Sequence, residues 1–579
     1  MSDDDFQIRP GKGRNRGSGS GRRARSLVSQ VIAYSKKGGH SLARSRHSGT
    51  GRNARGRHAG LAARSRLTNR RVVVKARVVR HKGATFRAAP LARHIDYLKR
   101  DGVTRDGKDA GLFDAGSDSA DSDAFAARCG DDRHHFRFIV SPEDAAELAD
   151  IRIFTRELMN DMAHDLGTQL DWVAVDHWNT DNPHVHILVR GRDDAGKDIV
   201  IDRDYIRAGL RSRAEERVTV ELGPRSEREI ALSIAREVDA ERWTSLDRTL
   251  QHMADDNGSI VDLRPSASGY ERPNHSQLLG RSAKLERLGL ATRVGPATWT
   301  LKPSLQETLR DLSIRGDIIK TMHRAMSTRG LHPETGRFAL HDGLSADPVI
   351  GRLVDRGLHD ELTGSAYAVV DGTDGRTHYL KFDDIDQTSD TRPGGIVELG
   401  RWRDNRGHDR QSLSVRSDLS LAEQIKAPGA TWIDRQLVAR DPVETAGGFG
   451  AEVRDALSER SEHLASEGLA RRQGQRFLFA RDLLDELRSR ELSSVAKTIA
   501  ARTGLEHKPL QPGEHLAGIY RERVTLSSGR FAMIDDGLSF QLVPWRQTLE
   551  RHLGQAVSGT MNTSGGIDWS FTRTRTLGL

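Results

Sequence analysis

Short β-branched runs and helix-period stretches alternate through the first third of the chain, and their order predicts β-α-β-α-β-β. Arg71–Arg80 (RVVVKARVVR) is β-branched and partly alternating, so it predicts a strand. Pro90 opens a helix through Leu91, Ile95 and Leu98 that Gly102 ends. Residues 105–132, rich in Gly, Asp and Ser, predict a long loop with at most a short helix. His134–Val140 (HHFRFIV) predicts a second strand. Ser141-Pro142-Glu143-Asp144 then predicts the start of a long amphipathic helix, with Ser141 as N-cap and Pro142 in its first position, ending near Gly167. Leu170–His177 (LDWVAVDH) and His184–Arg190 (HVHILVR) flank Trp178-Asn-Thr-Asp-Asn-Pro183 and predict an antiparallel hairpin.

Further on the pattern repeats itself. Arg281-Ser-x-x-Leu285-x-x-x-Gly289-Leu-Ala291-x-Arg293-x-Gly295 recurs as Arg460-Ser-x-x-Leu464-x-x-x-Gly468-Leu-Ala470-x-Arg472-x-Gly474, 179 residues later. A helix, a Gly-Leu break and a short strand pair make the pattern of a winged helix-turn-helix, suited to duplex binding or to protein packing; these segments are not notably basic. Turn-rich β segments follow each copy, at Gly336–Gly343 and Gly529–Gly537, and Leu516–Phe571 predicts a small barrel. The expected class is α+β. An N-terminal antiparallel-sheet domain (71–225) follows an arm (1–70) and precedes a helical linker with a winged-helix-like module (226–330). A β-rich module (331–445), a second winged-helix-like module (446–510) and a small β-barrel-like module (511–579) complete the chain.

Charge changes the picture at the N-terminus. The 579 residues are enough for three to four units at roughly 150 residues each. The net charge is +9, but residues 1–90 hold 23 Lys/Arg against three acidic residues, while the rest carries 67 basic against 78 acidic. From Gly11 to about Asn69 the chain is Gly, Ser and Arg with few large apolar residues, which predicts a disordered arm that neutralises phosphates, the plainer reading being a solubilising tail or linker. The single cysteine, Cys129, excludes an intrachain disulfide framework and a multi-Cys zinc ribbon, and fits a reducing cytoplasm. No apolar run approaches the roughly 20 residues of a bilayer span, and MSDDDFQIRP has no apolar core of a signal peptide, so the expectation is a soluble, cytoplasmic protein.

The predicted hairpin carries the strongest chemistry. Residues i and i+2 of a strand share a face, so His184 and His186 project together, and His177 joins them across the hairpin. One strand histidine is ordinarily a packing residue. Three neutral imidazoles without a nearby Cys describe a metal site with open positions.

Arg93-His-Ile-Asp-Tyr97-Leu-Lys-Arg100 and His177-Trp-Asn-Thr-Asp-Asn-Pro-His184-Val-His186 resemble the conjugative relaxases. These are mobilisation nucleases of the histidine-hydrophobe-histidine endonuclease class, in the branch that includes the agrobacterial T-DNA border nuclease. The resemblance spans about residues 71–215, and the C-terminal part resembles the uncharacterised region often fused to this branch. It implies Tyr97 as nucleophile, Ser141 as a serine contacting DNA near the nick, and His177, His184 and His186 as ligands of Mg2+ or Mn2+. The implied reaction is nicking and closing of one strand at a plasmid or integrative-element origin of transfer through a 5′-phosphotyrosine. Where family members often have Asp two residues after the first histidine, this chain has Asn179, so a carboxylate behind the ligands comes from Asp176 or Asp181 or is absent. Asp176, His94 and Asp96 are candidate bases for the phenol, and Tyr205 is the competing nucleophile. Arg190, on the histidine side of its strand, suits a phosphate contact, as do Lys99 and Arg100. The implied partners are single-stranded and duplex DNA, relaxosome accessory proteins and a type IV secretion coupling protein, with no membrane insertion. A DNA-binding replication initiator or transcriptional regulator, and a metal-dependent hydrolase using water, are the readings from other classes.

Overall fold

The computed structural model describes residues 68–81, 91, 94–95, 98–99, 111–178, 182–265 and 273–571, apart from 333, 342, 346, 405 and 564. Tyr97, Asp96, Arg100, Asn179, Asp181 and the basic arm up to residue 67 lie outside the described residues. The chain forms two compact units, Met1–Arg315 and Gly316–Leu579, and is a mixed α+β protein built on several antiparallel sheets.

The first unit opens with β1 (Val72–Arg80), β2 (His134–Pro142), β3 (Trp172–His177) and β4 (His184–Arg190), in the order β1-β2-β4-β3 and antiparallel throughout. The predicted strands are all present. One face carries Phe136, Phe138, Val140, Val185, Ile187 and Val189, which pack with Phe154 and Leu158 of α2 (Ile151–Leu166) and Leu210 and Val218 of α3 (Leu210–Leu222). On the other face Val173, Val175 and Leu188 meet Leu91, Ile95 and Leu98, together with Phe125 of α1 (Ser122–Arg128) and Cys129. Every residue of β3 is buried because both faces are covered, which is why its sequence runs apolar instead of alternating.

Helix α2 starts nine residues later than the sequence suggests. Ser141 and Pro142 continue β2, opposite Val73 and Val72. The ladder to β4 has already ended at Val140, so the proline's missing N–H interrupts nothing there. The N-cap is Asp150, whose carboxylate accepts from the Arg152 and Ile153 amides, and Gly167 at φ 68° ends the helix where expected.

The remainder of the unit is α4 (Glu227–Asp239), α5 (Ser245–Asp256), β5 (Ile260–Asp262), α6 (His275–Arg287), β6 (Ala291–Gly295) and β7 (Thr298–Leu301), with sheet order β5-β7-β6. Leu246, Leu250, Leu278, Leu285 and Trp299 form its core, with Leu305 and Leu309 from the first turns of α7 (Leu305–Thr328).

In the second unit, β8 (Phe338–Leu340), β9 (Ile350–Asp360), β10 (Ser365–Gly372), β11 (Thr377–Phe382), β12 (Ile396–Arg403) and β13 (Asp409–Ser417) form a sheet of order β13-β12-β9-β10-β11-β8. Then come α8 (Leu421–Ile425), α9 (Trp432–Val438), α10 (Phe449–Ser466), β14 (Ala470–Gln473), β15 (Arg476–Phe479) and α11 (Leu483–Thr503). The last sheet has the order β16-β19-β18-β17-β20-β21, from β16 (Glu506–His507), β17 (His515–Leu526), β18 (Gly529–Asp535), β19 (Ser539–Pro544), β20 (Ala556–Met561) and β21 (Ile567–Ser570). This corrects the expected small barrel: among the described residues β16 and β21 remain edges and the sheet is open.

The sequence repeat proves to be half of a larger structural one. Arg281 is fully buried and bonds both oxygens of Asp247, at 2.7 and 2.8 Å, and the carbonyls of Val238, Ala240 and Arg242. Arg460 is fully buried and bonds both oxygens of Asp434, at 2.8 and 2.9 Å, and the carbonyls of Ile425, Ala427 and Gly429. Each aspartate also closes a capping box with a threonine, Thr244 or Thr431. The motif is visible afterwards as Thr244-Ser-Leu-Asp-Arg-Thr-Leu250 and Thr431-Trp-Ile-Asp-Arg-Gln-Leu437, offset by 187 residues and not 179. The second module therefore begins near Ser420, and the expected boundary at 445/446 would cut through its clasp.

Candidate metal centre

The antiparallel register brings the histidines together. His177 faces His184 across β3 and β4, and His186 lies between Val175 of β3 and Ile139 of β2. All three are buried, and one ring nitrogen of each lies within 4.8 Å of the others. His184 Nε2 and His186 Nε2 are 3.1 Å apart. Two ligands about 2.1 Å from one ion, at an angle near tetrahedral or octahedral, would be separated by roughly 3.0–3.4 Å.

Carbonyl oxygens only accept, and this fixes two of the tautomers. His184 Nδ1–H donates to the Asn182 carbonyl at 2.9 Å, which leaves Nε2 as its lone-pair nitrogen. His177 Nε2–H donates to the Leu98 carbonyl at 2.8 Å, which gives the lone pair to Nδ1. Carbonyls behind the ring N–H groups orient metal-binding imidazoles without adding charge. The donor set thus fits a divalent ion held by imidazole nitrogens. The structure supports a candidate metal site here.

Ser141 is on the histidine face of β2, next in line after Ile139, and its hydroxyl donates to the Pro183 carbonyl at 3.0 Å. It tethers the turn that delivers His184. Lys99, the residue after Leu98, reaches Ser122 Oγ at 3.4 Å. His94 is buried in the same helical stretch.

Other expected site residues are placed elsewhere. Asp176 is paired with Val185 and so points to the α2 face, where Arg152 donates to one oxygen at 2.9 Å and the Trp178 indole to the other at 2.8 Å. A carboxylate one residue from His177 on a strand must face away from it, which removes Asp176 as a base or as support for the ligands. Arg190 is on the histidine face, but its guanidinium holds the fully buried Asp132 carboxylate at 2.8 and 3.2 Å. It is a structural clamp, not an available phosphate contact. Tyr205 is buried in the core on the α2 face, with its hydroxyl donating to Asp165 at 3.0 Å. Burial, with Asp165 beside it, pushes that phenol well above its usual range, the opposite of what a nucleophile needs.

A chain of side chains that sequence reasoning missed shares the histidine face. Arg137 Nε donates to His135 Nε2 at 3.1 Å, so His135 Nδ1–H donates to His81 Nε2 at 2.8 Å, and His81 Nδ1–H to the Asp132 carbonyl at 2.6 Å. Burial pushes the His135 imidazole down to about 2 and lowers His81 too. The only sequence hint was the histidine pair at the start of β2; the partner comes from the far end of β1.

A family model described as a protein of unknown function (DUF3363) matches residues 278–412 and 400–578, just over half of the chain. The chain belongs to that family. The matched part holds most of the first repeat's α6 and everything after it, and begins well beyond the histidine sheet. No curated protein and no solved structure matches the chain.

Proposed function

We propose that the protein nicks and rejoins one DNA strand at an origin of transfer, as a conjugative relaxase. The observation that carries this reading is the convergence of three buried imidazoles on one sheet face, one of them bonded to the carbonyl of Leu98, the residue that follows Tyr97 in the chain.

In the proposed step the Tyr97 phenolic oxygen attacks the scissile phosphorus and the bond from phosphorus to the 3′ oxygen breaks. The phenol loses its proton and the departing 3′ oxygen gains one. The resulting 5′-phosphotyrosine retains the phosphodiester's free energy, so the 3′-hydroxyl reverses the step without ATP. His177, His184 and His186 would hold a divalent ion, which when bound neutralises developing charge on the phosphate oxygens. An all-imidazole set ranks Mn2+ above Mg2+, because magnesium prefers oxygen ligands and water. Ser141 holds the turn before His184 in place. With Asp176 on the other face, His94 is the candidate base among the described residues. Lys75 and Arg77 of β1, in the cross-strand rows of Ile139 and Arg137, give the histidine face a basic side and take the phosphate-contact role proposed for Arg190.

The two repeats read as winged-helix modules, and the arm as a phosphate-neutralising tether. Among the described residues no helix is long and apolar enough to cross a membrane. A cytoplasmic enzyme working with accessory proteins and a secretion coupling protein fits this reading.

The test is a tiled set of 3′-labelled single strands from the DNA flanking its own gene, incubated with Mn2+ and run on a denaturing gel. Wild type is expected to shift the label to protein mass, and Tyr97→Phe to abolish the shift while strand binding stays within a few-fold. Label released only as a 5′-phosphate fragment would make the enzyme a water-using hydrolase.

A further inference from the structure

We infer that the β14–β15 ribbon is a duplex-DNA contact, which sets Arg471 and Arg476 on phosphates bordering the minor groove with Leu478 between them. The second repeat is nearly neutral as a whole, which hides how its charge is arranged. Residues 470–481 (ARRQGQRFLFAR) hold four arginines and no acidic residue. The ribbon turns at Gly474, whose φ of 64° a side-chain-bearing residue would resist.

Its pairing sorts the side chains. Ala470 opposes Phe479 and Arg472 opposes Phe477, while Arg471 opposes Leu478 and Gln473 opposes Arg476. The first set is the inner face: Ala470 and Phe479 pack on the cluster of Leu464, Leu469 and Leu483, and Arg472 lies over the Phe477 ring and bonds Glu462 at 3.0 Å. The second set is the outer face, and all four of its residues are exposed, with Leu478 at 55%.

Three features choose the partner. Two guanidinium groups with no carboxylate on their own face call for a polyanion. Both aromatic rings of the ribbon point inward, so the outer face has no platform for stacking unpaired bases, which disfavours a single strand. Helix α10 beside the ribbon exposes Glu452, Asp455, Glu459 and Glu462, which excludes it from a major groove. A narrow ribbon that carries arginines around one apolar side chain matches the backbone and minor groove of a duplex. Contacts of this kind tolerate sequence, so the ribbon would hold the duplex near a nick without choosing the site.

This inference is independent of the nicking chemistry. The experiment compares full-length wild type, Arg471→Ala/Arg476→Ala and the control Arg406→Ala/Arg440→Ala, which removes two exposed arginines elsewhere. Binding to a mixed-sequence duplex and to a single strand is titrated against salt, with a minor-groove ligand such as netropsin as competitor. The ribbon variant is expected to bind duplex several-fold more weakly and to lower the log–log salt slope by about 2, one per arginine. Its single-strand binding and covalent adduct yield should match wild type, and netropsin should compete with wild type only. An unchanged duplex slope, an equal loss on the single strand, or an equal loss in the control pair would each overturn the proposal. So would an Arg471- and Arg476-dependent capture of polyglutamate with duplex binding intact, since the ribbon would then serve an acidic protein.

Discussion

Arg281 and Arg460, on one side, and the three strand histidines, on the other, are polar groups buried to nearly the same depth with opposite results. Each arginine has five N–H donors, and each finds five acceptors in its own module: two carboxylate oxygens and three carbonyls at and just beyond the end of α4 or α8. Nothing is left over for a ligand. His177 and His184 each commit one ring N–H to a carbonyl, of Leu98 and of Asn182, and the other nitrogen of His184 lies 3.1 Å from His186 Nε2. A fully satisfied buried polar group specifies architecture, and ring nitrogens that converge beyond their carbonyl bonds make a candidate cation site. The two repeats extend the contrast. They share the clasp and a ribbon arginine laid over an aromatic ring and bonded to a helix glutamate, Arg293 on Trp299 and Glu286 as Arg472 on Phe477 and Glu462, but α4 has 13 residues where α8 has five, and the first copy has Thr292 and Ala297 where the second has Arg471 and Arg476. The interior is repeated while the surface is not.

The contrast breaks most plainly at the histidines. His184→Ala or His186→Ala should abolish strand cleavage and Mn2+ binding by calorimetry, while the thermal transition of the first unit stays close to wild type. If either variant unfolds the sheet, the histidines belong with the arginines as architecture. The clasps should behave the other way. Arg281→Ala and Arg460→Ala each strand a buried carboxylate, which should cost about 3–5 kcal/mol, and hydrogen exchange should locate the loss in residues 226–302 for the first and 420–480 for the second. Arg→Lys should not rescue, because an ammonium cannot reach five acceptors. Replacing both partners of one clasp with apolar residues should cost clearly less than either single change.

A smaller effect comes from pH. His135 is held neutral, with its folded-state value near 2 against about 6.5 unfolded, so the unfolded chain binds more protons between those limits. Its contribution is fully present above about pH 6.5 and is lost as pH falls, by up to ~1.4 kcal/mol per unit. Urea titrations of wild type and His135→Gln should converge toward acid; parallel curves would mean that His135 is not the group responsible. The smallest change is chemical. Burial pushes the Cys129 thiol up to about 12, under the same helical cover that holds Leu98 against His177. A neutral-pH thiol reagent should label it at the rate at which that cover opens, so labelling of the native protein as fast as of the denatured one would remove the cover from the description.

Much of the first sheet was legible. Its four strands, the hairpin and the convergence of His177, His184 and His186 follow from β-branched runs and a period of two, both of which are local. The Ser141-Pro142 signal misled, because a capping serine and a strand-end serine read alike until the pairing of Val73 with Ser141 is known. Asp176 could have been excluded from alternation alone, since a strand neighbour of His177 faces the other way.

The sequence by itself determined the period and order of the elements, the one-sided placement of the histidines and the existence of a duplication, because each rests on spacing within a few residues or on direct self-similarity. The tertiary structure alone decided that Arg190 clamps Asp132, that Tyr205 is buried against Asp165, that His81 closes a chain with His135, and that Arg281 and Arg460 lock helix ends 43 and 35 residues upstream. It also decided which face of the β14–β15 ribbon carries its arginines outward. Hydrogen-bond partners are chosen by register and burial across the fold, and residue types at a distance do not encode that choice.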